Sequence, residues 1–223
     1  MSADPFEKLR QQMVAVIAAQ AVFSAGETGK AAIATRVLEA MAKLPRHDFV
    51  PAEVRPYAYA DSPLPIGCSK TISQPFIVAL MTDLLDLKPE DRVLEIGTGL
   101  GYHAAILSAL VQRVYSVEII EELAQQAKQR LARQRCANVE LRLGNGYYGW
   151  PEHAPFDKVI VAAGVELVPP PLLQQLKPGG RMVIPTGLPD SQQLMLVEKD
   201  PSGRVKMKEI LRVRFSLLEG EPA

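Results

Sequence analysis

The sequence predicts an α/β protein with a mostly parallel, doubly wound sheet, an N-terminal helical segment and a C-terminal antiparallel edge hairpin. Three observations carry this. From Ser73 onward, short runs rich in valine, leucine and isoleucine alternate with helical patterns. One of those runs, Val93-Leu94-Glu95-Ile96, passes into Gly97-Thr98-Gly99-Leu100-Gly101, a loop with glycine at every second position. Near the C-terminus the helical patterns stop, and two strand patterns flank Asp200-Pro201-Ser202-Gly203.

At the N-terminus, Phe6, Leu9, Met13, Val16 and Ile17 recur at helical spacing, and the alanine-rich stretch to Phe23 continues the helix. Gly26 and Gly29 mark Ser24 to Lys30 as a loop. Ile33, Val37, Leu38, Met41 and Leu44 define a second amphipathic helix that stops before Pro45. Pro51, Pro56, Pro63, Pro65 and Gly67 mark residues 51 to 70 as an irregular surface connection, and residues 51 to 72 are the candidate lid. Pro75 suits a first helical turn, and Phe76 to Leu87 carries that helix. Strands are expected at 92 to 96, 113 to 117, 139 to 143, 157 to 162 and 180 to 184. Helices are expected near 102 to 111, 121 to 134 and 170 to 176. Lys177-Pro178-Gly179-Gly180 reads as a turn before the fifth strand, and 193 to 199 with 205 to 215 reads as the edge hairpin.

Composition sets the class. The chain has 223 residues, 48% apolar and 22% charged, which fits one packed domain. Residues 1–72 would form the helical segment with the substrate-side loop and 73–223 the core, together one compact body. Lysine plus arginine equals aspartate plus glutamate at 25 each, so no global field directs the chain to nucleic acid or to an anionic membrane. Nothing reads as a membrane span or a secretory signal, so a cytoplasmic monomer is the expectation. Two cysteines, Cys68 and Cys136, make neither a disulfide framework nor a zinc cluster. Cys136 reads as a packing residue. Cys68 has Lys70 nearby but no base in sequence to make it a nucleophile. His47, His103 and His153 show no metal spacing, so no metal is expected. Tyr147, Tyr148 and Trp150 lack an accompanying basic groove and read as packing. Lys128, Arg130, Arg133 and Arg135 form a solvated helix face.

The glycine loop points to a nucleotide-like cofactor, because alternate glycines turn tightly and let the backbone approach a ligand. The next strand ends in Glu118, where a carboxylate can accept both ribose hydroxyls. A dinucleotide site usually shows Gly-x-Gly-x-x-Gly, whereas Gly97, Gly99 and Gly101 follow Gly-x-Gly-x-Gly after Glu95. A carboxylate facing the ligand repels a pyrophosphate and suits the cationic S-adenosylmethionine. A nicotinamide enzyme and a plain connecting turn are the competing readings.

Several segments together resemble a known family. Leu44-Pro45-Arg46-His47-Asp48-Phe49-Val50-Pro51, Tyr59 to Ile66, Thr71-Ile72-Ser73-Gln74-Pro75 and Val93 to Tyr102 resemble the protein-L-isoaspartate O-methyltransferases. Ala154-Pro155-Phe156-Asp157 and Leu176 to Arg181 are similar too, so the likeness runs from about 30 to 215. It implies a Rossmann-like class I methyltransferase that esterifies the free α-carboxylate of L-isoaspartyl residues in damaged peptides and proteins. The ester then closes to a succinimide. The resemblance implies Ser73 as the active-site serine. It implies cofactor contacts at Thr71, Ile72, Glu95, Gly97, Thr98, Gly99, Gly101, Glu118, Ile119, Asn145 and Gly146. It implies substrate contacts at Ile66, Ser73, Val213 and Phe215.

Four departures from the family pattern stand out. Gly67-Cys68-Ser69-Lys70 replaces Gly-x-Gly-Gln and adds a cation beside the substrate channel. Gly164 stands where the family carries a proline, and Glu166 follows it. Asn145 replaces an aspartate, and Phe215-Ser216-Leu217-Leu218 lacks the usual Val-Pro. These motivate an alternative, a carboxyl O-methyltransferase of the same fold acting on a dedicated peptide or protein partner. A non-catalytic binding module is the third reading.

Overall fold

The computed structural model describes residues 4 to 220. Its centre is a seven-stranded sheet formed by β3 (Arg92–Ile96), β4 (Arg113–Glu118), β5 (Val139–Leu143), β6 (Phe156–Val161), β7 (Leu176–Leu188), β8 (Ser191–Lys199) and β9 (Val205–Val213). The order is β5-β4-β3-β6-β7-β8-β9. The first five strands run parallel, and β8 and β9 close the sheet as an antiparallel meander. The winding direction reverses between β3 and β6, which opens a crevice at their carboxyl ends.

Each face of the sheet carries its own apolar layer. On β3, Val93 faces a cluster that also holds Met13 and Ile17 of α1 (Glu7–Phe23), Met41 of α3 (Thr35–Lys43), Leu80 of α4 (Pro75–Leu84) and Ile106 of α5 (Tyr102–Ser108). Leu94 and Ile96 face the opposite layer with Trp150, Phe156 and Leu172 of α7 (Pro170–Gln175). This is the period of two expected of a strand covered on both sides. The N-terminal helices therefore share one core with the sheet. On α6 (Glu121–Arg133), Leu123, Ala127 and Leu131 are buried at helical spacing. Gly101, with φ 93°, starts α5 where a Cβ would come within 3.1 Å of Leu131, so this glycine lets α5 and α6 close on each other.

The structure departs from the expected boundaries in five places. Ser24 to Lys30 contains one helical turn, α2 (Ala25–Thr28), closed by left-handed Gly29 with φ 70°. The connection at 51 to 70 is more ordered than its prolines suggest: a 3-10 turn (Ala52–Tyr57) leads to a hairpin of β1 (Leu64–Gly67) and β2 (Lys70–Ile72). α4 ends at Leu84, not Leu87, because Asp86 turns left-handed at φ 51°. α5 ends at Ser108 rather than 111. Lys177 to Gly180 lies inside β7 as an irregularity, since Phe156 pairs with Leu176 and Lys158 already pairs with Arg181. Among the described residues no helix is long and apolar enough to cross a membrane.

Candidate active site

A cavity of about 720 Å³ opens over the carboxyl ends of β3, β4 and β6. Gly97 and Gly99 line it after β3, Glu118 and Ile119 after β4, Gly146 beyond β5, and Ala162 and Ala163 after β6. Its volume lies in the range of small-molecule sites. Backbone bonds fix the strand ends around it: Gly97 N–H donates to Val117 C=O at 2.9 Å and Ala162 N–H to Ile96 C=O at 2.8 Å. Gly97 and Gly99 take φ of 88° and 56°, which non-glycine residues rarely adopt. A Cβ on Gly146 would collide with Ile96.

Glu118 is 5% exposed, and its two carboxylate oxygens accept the Gly99 and Ile120 N–H groups at 2.8 and 2.9 Å. These bonds shape the glycine loop. Each oxygen keeps further acceptor capacity for a ligand diol.

Glu95 is placed differently from the expectation of a carboxylate facing the ligand. It is fully buried behind the glycine loop and does not line the cavity. The β3–β4 register sets Glu95 opposite Ser116, whose hydroxyl donates to Glu95 Oε2 and accepts from Thr98 Oγ1 at 2.6 Å. Thus Glu95 holds the loop through a relay of two hydroxyls. Burial, only partly offset by Ser116 and reinforced by Glu118, pushes its pKa up to about 8. Its Oε1 has no partner among the described residues.

Thr98, Gly101, Asn145 and Ile72 likewise stand behind the cavity wall. Asn145 caps a short 3-10 turn (Gly146–Tyr148) by accepting Tyr147 N–H at 2.9 Å and donates Nδ2–H to Gly220 C=O at 2.6 Å. Both halves of its amide are thus engaged in shaping the chain around Gly146.

The other half of the cavity is built from β1, β2, α4 and the segment after β9. Ile66, Thr71, Ser73, Val213 and Phe215 all line it, so every residue expected to meet substrate is here. Ser73 does not cap α4. Asp61 does so, accepting Phe76 N–H and Gln74 Nε2–H, each at 2.8 Å. The Ser73 hydroxyl makes no hydrogen bond among the described residues, while its carbonyl is gripped by Arg46 at 2.8 Å. Arg46 is fully buried, also donates to Ala58 C=O at 2.8 Å, and lies 4.7 Å over the Tyr102 ring. Burial lowers its pKa, opposed first by Tyr102 and then by Asp61.

Phe215 is clamped by the buried Gln192, whose side chain accepts its N–H at 2.6 Å and donates to its C=O at 3.1 Å. Gly164 donates N–H to Ser216 C=O and accepts from Leu218 N–H, both at 2.8 Å. A proline at 164 has no N–H to give, so the departures at 164 and at 216 to 217 form one contact. Arg46, Asp61 and Gln192 are supports that the sequence reading did not single out. Arg46 and Asp61 lie within segments that resemble the family, but neither spacing nor charge marks either of them or Gln192 as a support.

The remaining candidates behave structurally. Cys68 is exposed, and desolvation followed by the nearby Glu122 carboxylate raises its thiol pKa, the reverse of activation. Cys136 packs against the core. His103 bonds Thr82 at 2.9 Å and burial holds its pKa down to about 3; His47 bonds the Tyr59 hydroxyl at 2.7 Å; His153 stacks on Tyr115. Trp150 is buried under Arg142. No group of three His, Cys, Asp or Glu among the described residues could hold a metal.

The lining fits a nucleoside cofactor: a side-chain-free glycine cradle and an acidic partner for the ribose hydroxyls, with the Glu95 carboxyl bracing the loop from behind. Comparison with known proteins agrees. The family model described as Protein-L-isoaspartate(D-aspartate) O-methyltransferase matches residues 19–221. Protein-L-isoaspartate O-methyltransferase 1 of Polaromonas sp. (strain JS666 / ATCC BAA-500) is 64% identical over 98% of this chain and 93% of its own length. Protein-L-isoaspartate O-methyltransferase 2 of Syntrophobacter fumaroxidans is 56% identical over 97% and 88%. A solved protein-L-isoaspartate O-methyltransferase superposes with a TM-score of 0.83 at 30% identity, covering 95% of this chain; this chain spans 66% of that longer one. The shared fold also appears in a Plasmodium falciparum β-aspartate methyltransferase in complex with S-adenosyl-L-homocysteine, with a TM-score of 0.77, 20% identity and coverage of 94% and 98%. The chain belongs to the protein-L-isoaspartate(D-aspartate) O-methyltransferase family.

Proposed function

We propose that this chain transfers the methyl group of S-adenosylmethionine to the free α-carboxylate of L-isoaspartyl residues in peptides and proteins, as the first step of their repair. One observation carries this reading. The glycine cradle, Glu118, Thr71 and Ser73 all line a single cavity. Gly97, Gly99, Glu118, Ile119 and Gly146 would hold the cofactor. Glu95, Thr98, Gly101, Asn145 and Ile72 would keep that wall in shape. When bound, the cofactor supplies an electrophilic methyl on a sulfonium.

The chain's own task is placement. A carboxylate of pKa about 4 is already ionised at neutral pH, so no general base is required. Alignment of attacking oxygen and methyl carbon can lower the barrier by roughly 7–11 kcal/mol. The Ser73 hydroxyl donates to the non-attacking carboxylate oxygen, and Arg46 fixes the backbone that carries it. Ile66, Val213 and Phe215 cover the isoaspartyl residue and exclude water.

The test follows the fate of the product. A synthetic isoaspartyl peptide incubated with enzyme and S-adenosylmethionine through repeated cycles should accumulate the ordinary aspartyl isomer, separated by chromatography. A peptide that stays wholly isoaspartyl, with no ester or succinimide formed, counts against the reading.

A further inference from the structure

The mouth of the cavity holds an ion pair that the methyl-transfer step does not use. Lys70 Nζ lies 2.6 Å from Glu219 Oε1, joining the β1–β2 hairpin to the segment after β9, and both residues line the cavity. The Lys70 side chain is 22% exposed and that of Glu219 52%, so the carboxylate is the more solvated partner. Such half-exposed pairs are weak and exchange readily. The hairpin turn itself is held in an uncommon shape. Cys68 and Ser69 take φ of 50° and 56° without being glycine, which fits a two-residue turn with left-handed central residues. That turn fixes Lys70 opposite Gly67 in the β1–β2 register.

Lys70 shares the cavity with two further cations, Arg212 and Arg214. The substrate half of the cavity is lined by Lys70, Arg212 and Arg214 against Asp190 and Glu219. Arg212 reaches the backbone carbonyl of Asp190 at 2.9 Å, and Arg214 has no hydrogen-bond or ion-pair partner among the described residues. Glu118, the third carboxylate of the cavity, is committed to the Gly99 and Ile120 N–H groups in the cofactor half. Lys70 precedes Ser73 by three residues, on the order of 10 Å along an extended strand. An extended peptide that places its isoaspartyl carboxylate at Ser73 and runs along β2 reaches Lys70 within about three residues.

We propose that Lys70 is a specificity-determining residue. It binds the side-chain carboxylate of an acidic residue close to the isoaspartyl position, and Glu219 holds that place until substrate arrives. The proposal rests on the isoaspartyl reading above and adds the class of peptide preferred.

The experiment compares three isoaspartyl peptides identical except for glutamate, glutamine or lysine two residues from the isoaspartyl linkage. Affinity is read by calorimetry with S-adenosylhomocysteine present, and kcat and KM are read with S-adenosylmethionine. The unaltered enzyme should favour the glutamate peptide over the glutamine peptide by roughly 3- to 10-fold, in Kd and KM rather than kcat. K70Q should collapse that ratio to near one, K70E should turn the preference toward the lysine peptide, and E219Q should enlarge the glutamate preference. A ratio that survives in K70Q overturns the proposal. So does weaker binding of S-adenosylhomocysteine alone by K70Q, which would assign Lys70 to a carboxylate of the cofactor. Equal turnover of glutamate and glutamine peptides by the unaltered enzyme overturns the proposal and leaves the isoaspartyl reading standing. Methylation of no peptide overturns both.

Discussion

Replacing Glu118 by alanine removes a carboxylate that organises the cofactor half before any ligand arrives. Its oxygens accept Gly99 N–H at 2.8 Å and Ile120 N–H at 2.9 Å. Each bond to a charged group is worth roughly 1.5–3 kcal/mol. The cavity admits water, which recovers part of this, and the variant also loses the acceptor for the ribose hydroxyls. A net loss of roughly 2–4 kcal/mol in cofactor binding follows, or about 30- to 1,000-fold in Kd. Calorimetric titration of S-adenosylhomocysteine into E118A measures it, with circular dichroism to confirm the fold. E118Q should fall between, because its amide can accept one of the two N–H groups and opposes the other with a donor. An E118A affinity within about threefold of the unaltered protein would refute this role for Glu118.

Other outcomes follow from the same geometry. S73A should lower kcat on the order of 10- to 100-fold while S-adenosylhomocysteine affinity stays within about twofold, since the hydroxyl is free of the protein and faces the substrate half. Parallel losses of cofactor affinity and turnover would count against it. G164A should destabilise the protein by roughly 1–3 kcal/mol and raise peptide KM, because a Cβ there collides with the Gln192 amide that clamps Phe215; urea denaturation and peptide kinetics read both. Stability should also fall with pH through Glu95. Its folded pKa, about 8, lies above the ordinary 4.5, so the folded state alone holds the proton between those values. The stabilisation is full below about pH 4.5, declines as pH rises, and is lost above about 8. Thermal melts of ligand-free E95Q should show a flatter pH profile than the unaltered protein between those limits; identical profiles would contradict it.

The central strands were legible because they are buried on both faces. Val93 to Ile96, apolar but for Glu95, and the unbroken Val159 to Val161 read as strands between helices, and their boundaries held within a residue or two. The hairpin at 64 to 72 was hidden for a physical reason. Its strands are four and three residues long, one contains Pro65, and its turn uses Cys68 and Ser69 where glycine or asparagine would announce it. The cofactor loop was readable from glycine spacing, but the direction of Glu95 was not. Alternation along β3 puts Glu95 and Val93 on one face, and the hydroxyl relay through Ser116 depends on a β3–β4 register that no local pattern fixes. Ser73 was readable only through its family motif. That its hydroxyl is free depends on Asp61, twelve residues upstream, taking the capping role.

Two copies of one short peptide, identical except for an aspartyl or an isoaspartyl linkage, test the central claim most directly. Incubated with labelled S-adenosylmethionine and the unaltered enzyme, the isoaspartyl copy alone should acquire base-labile methyl ester. Equal labelling of both copies, or labelling of neither while S-adenosylhomocysteine still binds, would contradict it.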